Sequence, residues 1–200
     1  LIISDNCSND NTQEICEKLQ TEKNIIYFRQ KKNVGVVENF KFLINKCKTK
    51  YIAFIDQDDT WKNDKIERQV KLLESENCAM CHTYYTFYVE FLNTKKIIKS
   101  KNKIFYKDLL SGRLPGASTV MINTDFFKDL SLFNDDRYLD SMNDFVIWLH
   151  LLRGSKNYSI CLKEPMMNYL FHGDNLSANK LKQLYKHYFI LKNTEKINSF

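Results

Sequence analysis

Residues 51 to 61, Tyr51-Ile52-Ala53-Phe54-Ile55-Asp56-Gln57-Asp58-Asp59-Thr60-Trp61, constrain this chain more than any other stretch. Five apolar or aromatic residues in a row, flanked by polar ones, predict a short strand buried on both faces, as in a parallel sheet covered by helices. The strand delivers three carboxylates within four residues at its carboxyl end. There they repel one another unless a cation, a proton or a ring of donors neutralises them. A divalent ion, Mg²⁺ or Mn²⁺, is the simplest answer, because it takes oxygen ligands and is commonly held by one or two carboxylates with diphosphate oxygens completing its shell. Ligands of open α/β sheets also bind at the carboxyl ends of strands. The competing reading is an acidic turn whose Asp58-Asp59-Thr60 caps a helix beginning near Trp61.

At 200 residues and 23.8 kDa the chain suits one domain with a sizeable core. Its 44% hydrophobic and 27% charged residues are those of an ordinary soluble globular protein. No apolar run approaches the ~20 residues that cross a bilayer, and Leu1-Ile2-Ile3 is too short for the apolar part of a signal peptide. A cytoplasmic protein is therefore expected, with peripheral contact at the inner face of the membrane left open. The net charge of +6 comes from scattered lysines such as Lys31-Lys32, Lys95-Lys96 and Lys99-Ser100-Lys101-Asn102-Lys103. Such charge suits phosphorylated ligands or anionic headgroups, or is simply a solvated surface. Without a zinc finger, an RNA-binding aromatic motif or a long basic helix, a nucleic-acid partner is not expected. Cys78-Ala79-Met80-Cys81-His82 matches a haem-attachment pattern by letter, yet it runs on into Thr83-Tyr84-Tyr85-Thr86-Phe87-Tyr88-Val89 and reads better as a strand with small buried residues. The six cysteines lack the spacing of a disulfide framework.

In chain order, a strand at Leu1 to Asp5, a helix over roughly 13 to 22 capped by Asp10 or Thr12, a strand near Ile25 to Phe28 and a helix from about Val36 to Lys46 lead into the strand at 51. This alternation argues for crossovers and a mostly parallel sheet. A helical period follows over Asn63 to Glu76, then strands over 78–92 and 95–105 with a hairpin near Asn93-Thr94, and a short helix over 108–111. Leu114-Pro115-Gly116-Ala117-Ser118 is a small-residue loop entering a strand, Val146 to Arg153 an apolar helix, and Asn179 to Phe200 an amphipathic one that can pack, dimerise or lie on a membrane.

A hydrophobic strand running into Asp-x-Asp-Asp and Trp resembles the signature of family 2 glycosyltransferases with the GT-A fold, and the form IDQDDTW is most similar to rhamnosyltransferase-like members. Other segments fall in the family's order. Asp5-Asn6-Cys7-Ser8-Asn9-Asp10 resembles its Asp-Asp-Gly-Ser-x-Asp, with the second Asp and the Gly replaced, and Asn33-x-Gly35-x-x-x-Asn39 resembles the loop before its third helix. Asn143-Asp144 stands where the family has Glu-Asp, and Tyr169-Leu170-Phe171-His172 where it has Tyr-Arg-x-His. The resemblance implies an α/β, GT-A-like (Rossmann-like) domain over 1–177, its mostly parallel sheet flanked by helices with a small antiparallel portion, followed by a C-terminal amphipathic helix over 178–200. The family's first strand and helix have no counterpart before Leu1.

The implied reaction is inverting transfer of a sugar from a nucleoside diphosphate donor, of dTDP or UDP type, to a glycan or lipid-linked acceptor. By resemblance Asp144 is the catalytic base, with Asp140 in reserve. Asp58 and His172 hold a divalent metal, and Asp5, Asn33, Asp56, Asp59 and Gly116 bind nucleotide or donor sugar. For Asp144 the competing reading is a helix cap stabilising by ~1 kcal/mol. For Gly116 it is a plain turn. The rival for the whole chain is a non-catalytic nucleotide-sugar or glycan-binding remnant.

Overall fold

The computed structural model describes residues 1–22, 24–126, 143–154, 157–172 and 180–193. The chain begins with a βαβ unit in which β1 (Ile2–Asp5) and β2 (Ile26–Arg29) pair in parallel, Ile3 opposite Tyr27, and α1 (Thr12–Glu22) connects them. The Asp10 carboxylate accepts the Thr12 N–H at 3.0 Å and its hydroxyl at 2.6 Å, which gives donors at the start of α1 a partner.

Helix α2 (Val36–Lys46) follows Gly35, whose φ of 84° lies where a side chain would be strained. The helix then faces two ways. Phe42 meets Phe28 of β2 edge-on at 5.2 Å, while Phe40 stacks on Phe54 at 4.9 Å and Ile44 enters the main core.

Among the described residues the second sheet has seven strands: β3 (Tyr51–Ala53), β4 (Thr60–Trp61), β5 (Met80–Val89), β6 (Thr94–Ile98), β7 (Lys103–Ile104), β8 (Met121–Asn123) and β9 (Ser159–Phe171). Its order is β3-β8-β5-β9-β4, with β6 on β5 and β7 on β9. Only β5 and β9 run parallel within it, so the sheet is mixed and its antiparallel part is larger than the helix–strand alternation suggested. The predicted strand over 51–55 is regular only as far as Ala53, and its partner is the antiparallel β8. Beyond it Phe54 stays buried and Ile55 is 41% exposed, because the Asp56 N–H leaves the ladder for the Ser118 hydroxyl.

Along the β5–β9 pairing the register shifts around Tyr84, so that Thr83 faces Leu162, Tyr84 faces Pro165 and Tyr85 faces Met167. Proline has no N–H to give a ladder and is tolerated at such an irregularity.

Helices α3 (Lys65–Glu76), α4 (Tyr106–Leu110) and α5 (Asn143–Leu152) complete this part. From Phe145 to Leu152 every residue of α5 except His150 is buried, with Trp148 at its centre, as a helix apolar on all sides requires. Cys78 and Cys81 are buried thiols of the sheet core, and His82 is wholly enclosed, its Nδ1 2.7 Å from the Ser159 hydroxyl and its Nε2 3.1 Å from the Lys101 carbonyl. Burial pushes that imidazole down to about 4, so it is neutral.

Helix α6 (Lys180–Asn193) packs into the same core through Ile190 and Leu191, with His187 stacked on Phe145 at 4.6 Å. Leu181, Leu184 and Tyr185 of its first turns are exposed. No helix among the described residues is long and apolar enough to cross a membrane.

Candidate active site

The acidic turn sits between β3 and β4, closed by an Asp59 N–H to Asp56 carbonyl bond of 3.1 Å. Its shape is set by a residue far away in sequence. Ser118 lies in a buried 3₁₀ turn, Ala117–Thr119, and its hydroxyl accepts the Asp56 N–H at 2.9 Å while donating to the Asp59 carboxylate. The Ser118 carbonyl accepts the Trp61 indole N–H at 2.7 Å. Beneath Trp61 lies Lys65, fully buried, its ammonium 4.0 Å from the ring centroid and donating to Gln69 Oε1 at 2.6 Å. The Gln69 amide returns to the Thr119 carbonyl at 3.0 Å. The acidic turn and the Ser118 turn are thus tied together from both sides.

The electrostatics of the turn are unfavourable to its own charges. Burial pushes Asp59 up to about 6, and Asp56 and Asp58 add to the rise, against the Ser118 hydroxyl and Leu170 N–H bonds that oppose it. Its Oδ1 is buried with no hydrogen-bond partner among the described residues. Asp56 is raised by burial and then by Asp58.

At the end of β9, His172 Nε2 comes to 3.5 Å from Asp58 Oδ2. Across the cleft, Asp144 occupies the first turn of α5, half-buried, its Oδ1 accepting the Phe145 N–H at 2.8 Å. Burial, partly offset by that N–H, and the charge of Asp56 push it up to about 6. The helix is held there because Trp148 packs against Phe54 at 5.7 Å and gives its indole N–H to the Pro115 carbonyl at 3.2 Å.

The structure therefore links these groups in a chain: Asp144 feels the charge of Asp56, Asp56 and Asp58 both act on Asp59, and His172 meets Asp58. Asp5 and Asn33 belong to the smaller sheet and its loops and are engaged in bonds of their own. Asp5 is buried and accepts from the Ser8 N–H at 2.7 Å, the Tyr27 hydroxyl at 2.8 Å and Arg29 Nη1 at 2.9 Å. Burial works to raise its carboxyl, but these donors outweigh it and hold it below the usual range. Asn33 Oδ1 accepts from Asn6 Nδ2 at 3.0 Å and from the Gly35 N–H at 2.9 Å, locking two loops together. Gly116 has ordinary backbone angles, and a Cβ there would meet nothing within 4 Å. Neither strain nor protein packing requires glycine at 116, and the space beside it is open. Asp140 lies outside the described residues, as do Gly173, Asn175 and Ser177 of the closing segment.

Residues 1–130 match the family model described as glycosyl transferase family 2. The chain belongs to glycosyl transferase family 2. This family 2 glycosyltransferase is 28% identical over 203 residues to TuaG of Bacillus subtilis (strain 168), whose name proposes a glycosyltransferase of teichuronic acid biosynthesis; the match covers 99% of this chain and 77% of TuaG. It is 29% identical over 193 residues to the UDP-Glc:alpha-D-GlcNAc-diphosphoundecaprenol beta-1,3-glucosyltransferase WfaP of Escherichia coli, covering 96% and 73% of the two chains. Among solved structures, S. aureus TarS 1–349 in complex with UDP superposes with a TM-score of 0.66 at 13% identity, over 98% of this chain and 63% of that one. The chain spans less than two thirds of TarS 1–349, and the likeness establishes a GT-A fold.

Within the family 2 domain the acidic cleft suits a cation only as a shared site. Among the described residues no three His, Cys, Asp or Glu side chains converge to hold one by themselves. What the cleft does offer is crowded carboxylates, a buried oxygen on Asp59 with no partner among the described residues, and the Asp58–His172 pair. That donor set fits a hard ion whose remaining positions are filled by ligand oxygens.

Sequence reasoning missed Ser118, Lys65 and Gln69. Ser118 stood in a loop singled out for its glycine, and the only signal for the other two is their i, i+4 spacing on a helix beginning just after Trp61.

Proposed function

We propose that this family 2 glycosyltransferase moves a sugar from a nucleoside diphosphate sugar to a hydroxyl of a glycan or lipid-linked acceptor in cell-surface polysaccharide synthesis, with inversion at the anomeric carbon. The observation that supports the reading is Asp144, its carboxyl raised to about 6 by burial and by the charge of Asp56, at the edge of a turn whose Asp58 pairs with His172. A base with a pKa near the working pH removes a hydroxyl proton most effectively. Asp144 takes the acceptor proton as that oxygen bonds to the anomeric carbon, and the bond to the diphosphate breaks on the opposite face, its electron pair leaving with the phosphate oxygen. Asp58 and His172 would hold a divalent cation, which when bound supplies positive charge for the leaving diphosphate. Asp56 and Asp59 orient ribose and donor-sugar hydroxyls, and the open space at Gly116 leaves room for the sugar. Asp5 and Asn33 shape the loops beside the nucleoside.

UDP is the nucleotide to test first, because TarS was solved with UDP and with UDP-GlcNAc and the E. coli relative is named for UDP-Glc. Neither relative's name carries rhamnose, and the rhamnosyl subtype is not part of the proposal.

Asp144→Asn should lower transfer by about 10²–10⁴-fold with UDP affinity within about twofold. The wild-type rate should rise with pH through about 6 as Asp144 loses its proton. Equal loss of binding and turnover in the variant, or wild-type protein that binds UDP-sugars without ever cleaving them, would refute the proposal.

A further inference from the structure

Large apolar side chains stand in water on the hairpin that joins β5 to β6. Phe91 is 67% exposed, Leu92 61% and Ile97 51%, and every residue from Glu90 to Ile97 is exposed. A lone exposed hydrophobic is ordinary, whereas an aromatic and a leucine side by side at the apex of a turn make a patch. The apex is also preformed. Glu90–Leu92 make a 3₁₀ turn closed by the Asn93 N–H on the Glu90 carbonyl at 3.1 Å, Asn93 takes a left-handed φ of 48°, and the Tyr88 hydroxyl donates to Asn93 Oδ1 at 3.2 Å. Phe91 and Leu92 are thus held in water by a fixed turn, and little ordering is left for a binding step.

The charge around the apex has one sign. Between Tyr88 and Lys103 the sequence carries five lysines and one acid, Glu90. Lys101 pairs with Asp108 at 2.9 Å and Lys103 with Glu76 at 3.7 Å, while Lys95, Lys96 and Lys99 are exposed and make no ion pair among the described residues. In the register of the hairpin Lys95 stands opposite Tyr88 and Lys96 opposite Phe87, so the two lysines fall on opposite faces of the ribbon and form a basic collar. At about 3.4 Å per residue they sit roughly 3–7 Å along the strand from Thr94.

From this apolar apex and its collar we infer that the hairpin docks on an anionic lipid surface, with Phe91 and Leu92 entering the bilayer interface and Lys95 and Lys96 meeting the headgroups. Interfacial binding draws on both parts, apolar area buried at the acyl boundary and lysine attracted to negative headgroups. A fluid bilayer accommodates a convex turn without a matching groove. A second copy fits less well: among the described residues β6 pairs with β5 alone, and edge pairing of two such strands would bring lysines against lysines. The docking is separate from sugar transfer, yet it reaches the cleft. Phe91 lies 6.2 Å from Phe171, the last residue of β9, and the next residue is His172, whose Nε2 is 3.5 Å from Asp58 Oδ2. A docked apex therefore sets the rim of the acidic cleft beside the lipid.

The test uses the whole chain with vesicles of pure phosphatidylcholine or of phosphatidylcholine mixed with phosphatidylglycerol, and reads co-sedimentation. The wild type should partition to the mixed vesicles at least about tenfold more strongly than to the neutral ones, a preference that falls as salt is raised. Lys95→Gln and Lys96→Gln should each weaken partition about fivefold. Phe91→Ser combined with Leu92→Ser should weaken it at least about tenfold. Melting temperature and UDP affinity should not change, since all four side chains are exposed. Phe91→Trp reports insertion directly, through quenching by acyl-brominated lipid beyond that of the wild type. Equal partition to the two vesicles, wild-type partition in the hairpin variants, or no added quenching in Phe91→Trp on vesicles that hold the protein would each overturn the inference. Partition lost in Leu184→Ser but kept in the hairpin variants would assign the contact to α6 instead, where Leu184 is exposed. Self-association without lipid that the hairpin variants abolish would assign the apex to a second copy. Partition is read without nucleotide or turnover, so an inactive protein that docks would defeat the transferase reading alone, and an active one that ignores both vesicles would defeat the docking alone.

Discussion

Replacing Asp59 by asparagine separates a charge held for function from one held for folding. In the native state its carboxyl rises from 3.8 to about 6, chiefly through burial and then through its acidic neighbours. A raised carboxylate binds its proton more tightly folded than unfolded, so its stabilising contribution is complete below about pH 4 and is lost as pH climbs through 6. Two units correspond to a ceiling of ~3 kcal/mol, and relaxation of the turn brings the expected penalty at pH 8 to about 1–3 kcal/mol. Asparagine keeps an oxygen that can accept from both the Ser118 hydroxyl and the Leu170 N–H, and it carries no charge. Asp59→Asn should therefore match the wild type at pH 4 and exceed it by that amount at pH 8. Urea unfolding followed by tryptophan fluorescence, with a chelator present, measures both points, and transfer activity should fall with the same substitution. A gain of equal size at the two pH values, or a loss at pH 8, would show that charge crowding is not what strains the turn.

Two further substitutions probe the network beneath the turn. Ser118→Ala strands the Asp56 N–H and takes one donor from the Asp59 carboxylate, so stability should drop by about 1–3 kcal/mol and Asp59 should hold its proton to higher pH, because the hydroxyl holds that carboxyl down; an Asp59 carboxyl whose titration, followed by NMR, does not move would remove Ser118 from that role. Lys65 is lowered from 10.5 to about 8 by burial, so its folded form prefers to be neutral and its cost is greatest below pH 8. Lys65→Met should thus raise the midpoint of chemical unfolding at pH 7 by an amount worth about 1–3 kcal/mol that shrinks toward pH 10, while transfer weakens as Trp61 loses its support; destabilisation that persists at pH 10 would argue that the Gln69 bond outweighs the buried charge.

Much of the chain's outline was legible because it is local. The bounds of α2 and the acidic turn follow from glycine, the apolar period and a run of carboxylates, all visible within a dozen residues, whereas α5 starts at Asn143, three residues before the apolar run that marks it in the sequence. The sheet order was less so, since β3 meets β8, a strand about seventy positions away, and nothing in either segment states its direction. Asp5 shows the same limit for a single side chain: its position in a motif is readable, but its enclosure by Tyr27, Arg29 and Ser8 depends on where β2 lands. A lysine under a tryptophan, or a serine that accepts from one aspartate and donates to another, exists only once three separate segments have been folded against each other.

The small misalignment beside Pro165 reaches well beyond its own neighbourhood. Upstream of it β9 keeps step with β5 through Ser159 and the enclosed His82; downstream the phase is reset, and the reset decides that Tyr169 and Phe171 share the face of Tyr85 and Phe87, that Asn168 reaches Thr60, and that the Leu170 N–H meets Asp59. Losing a single residue between positions 162 and 166 would exchange those two sets and carry His172 away from Asp58. One proline-marked hitch in a thirteen-residue strand thus keeps time for both halves of the cleft.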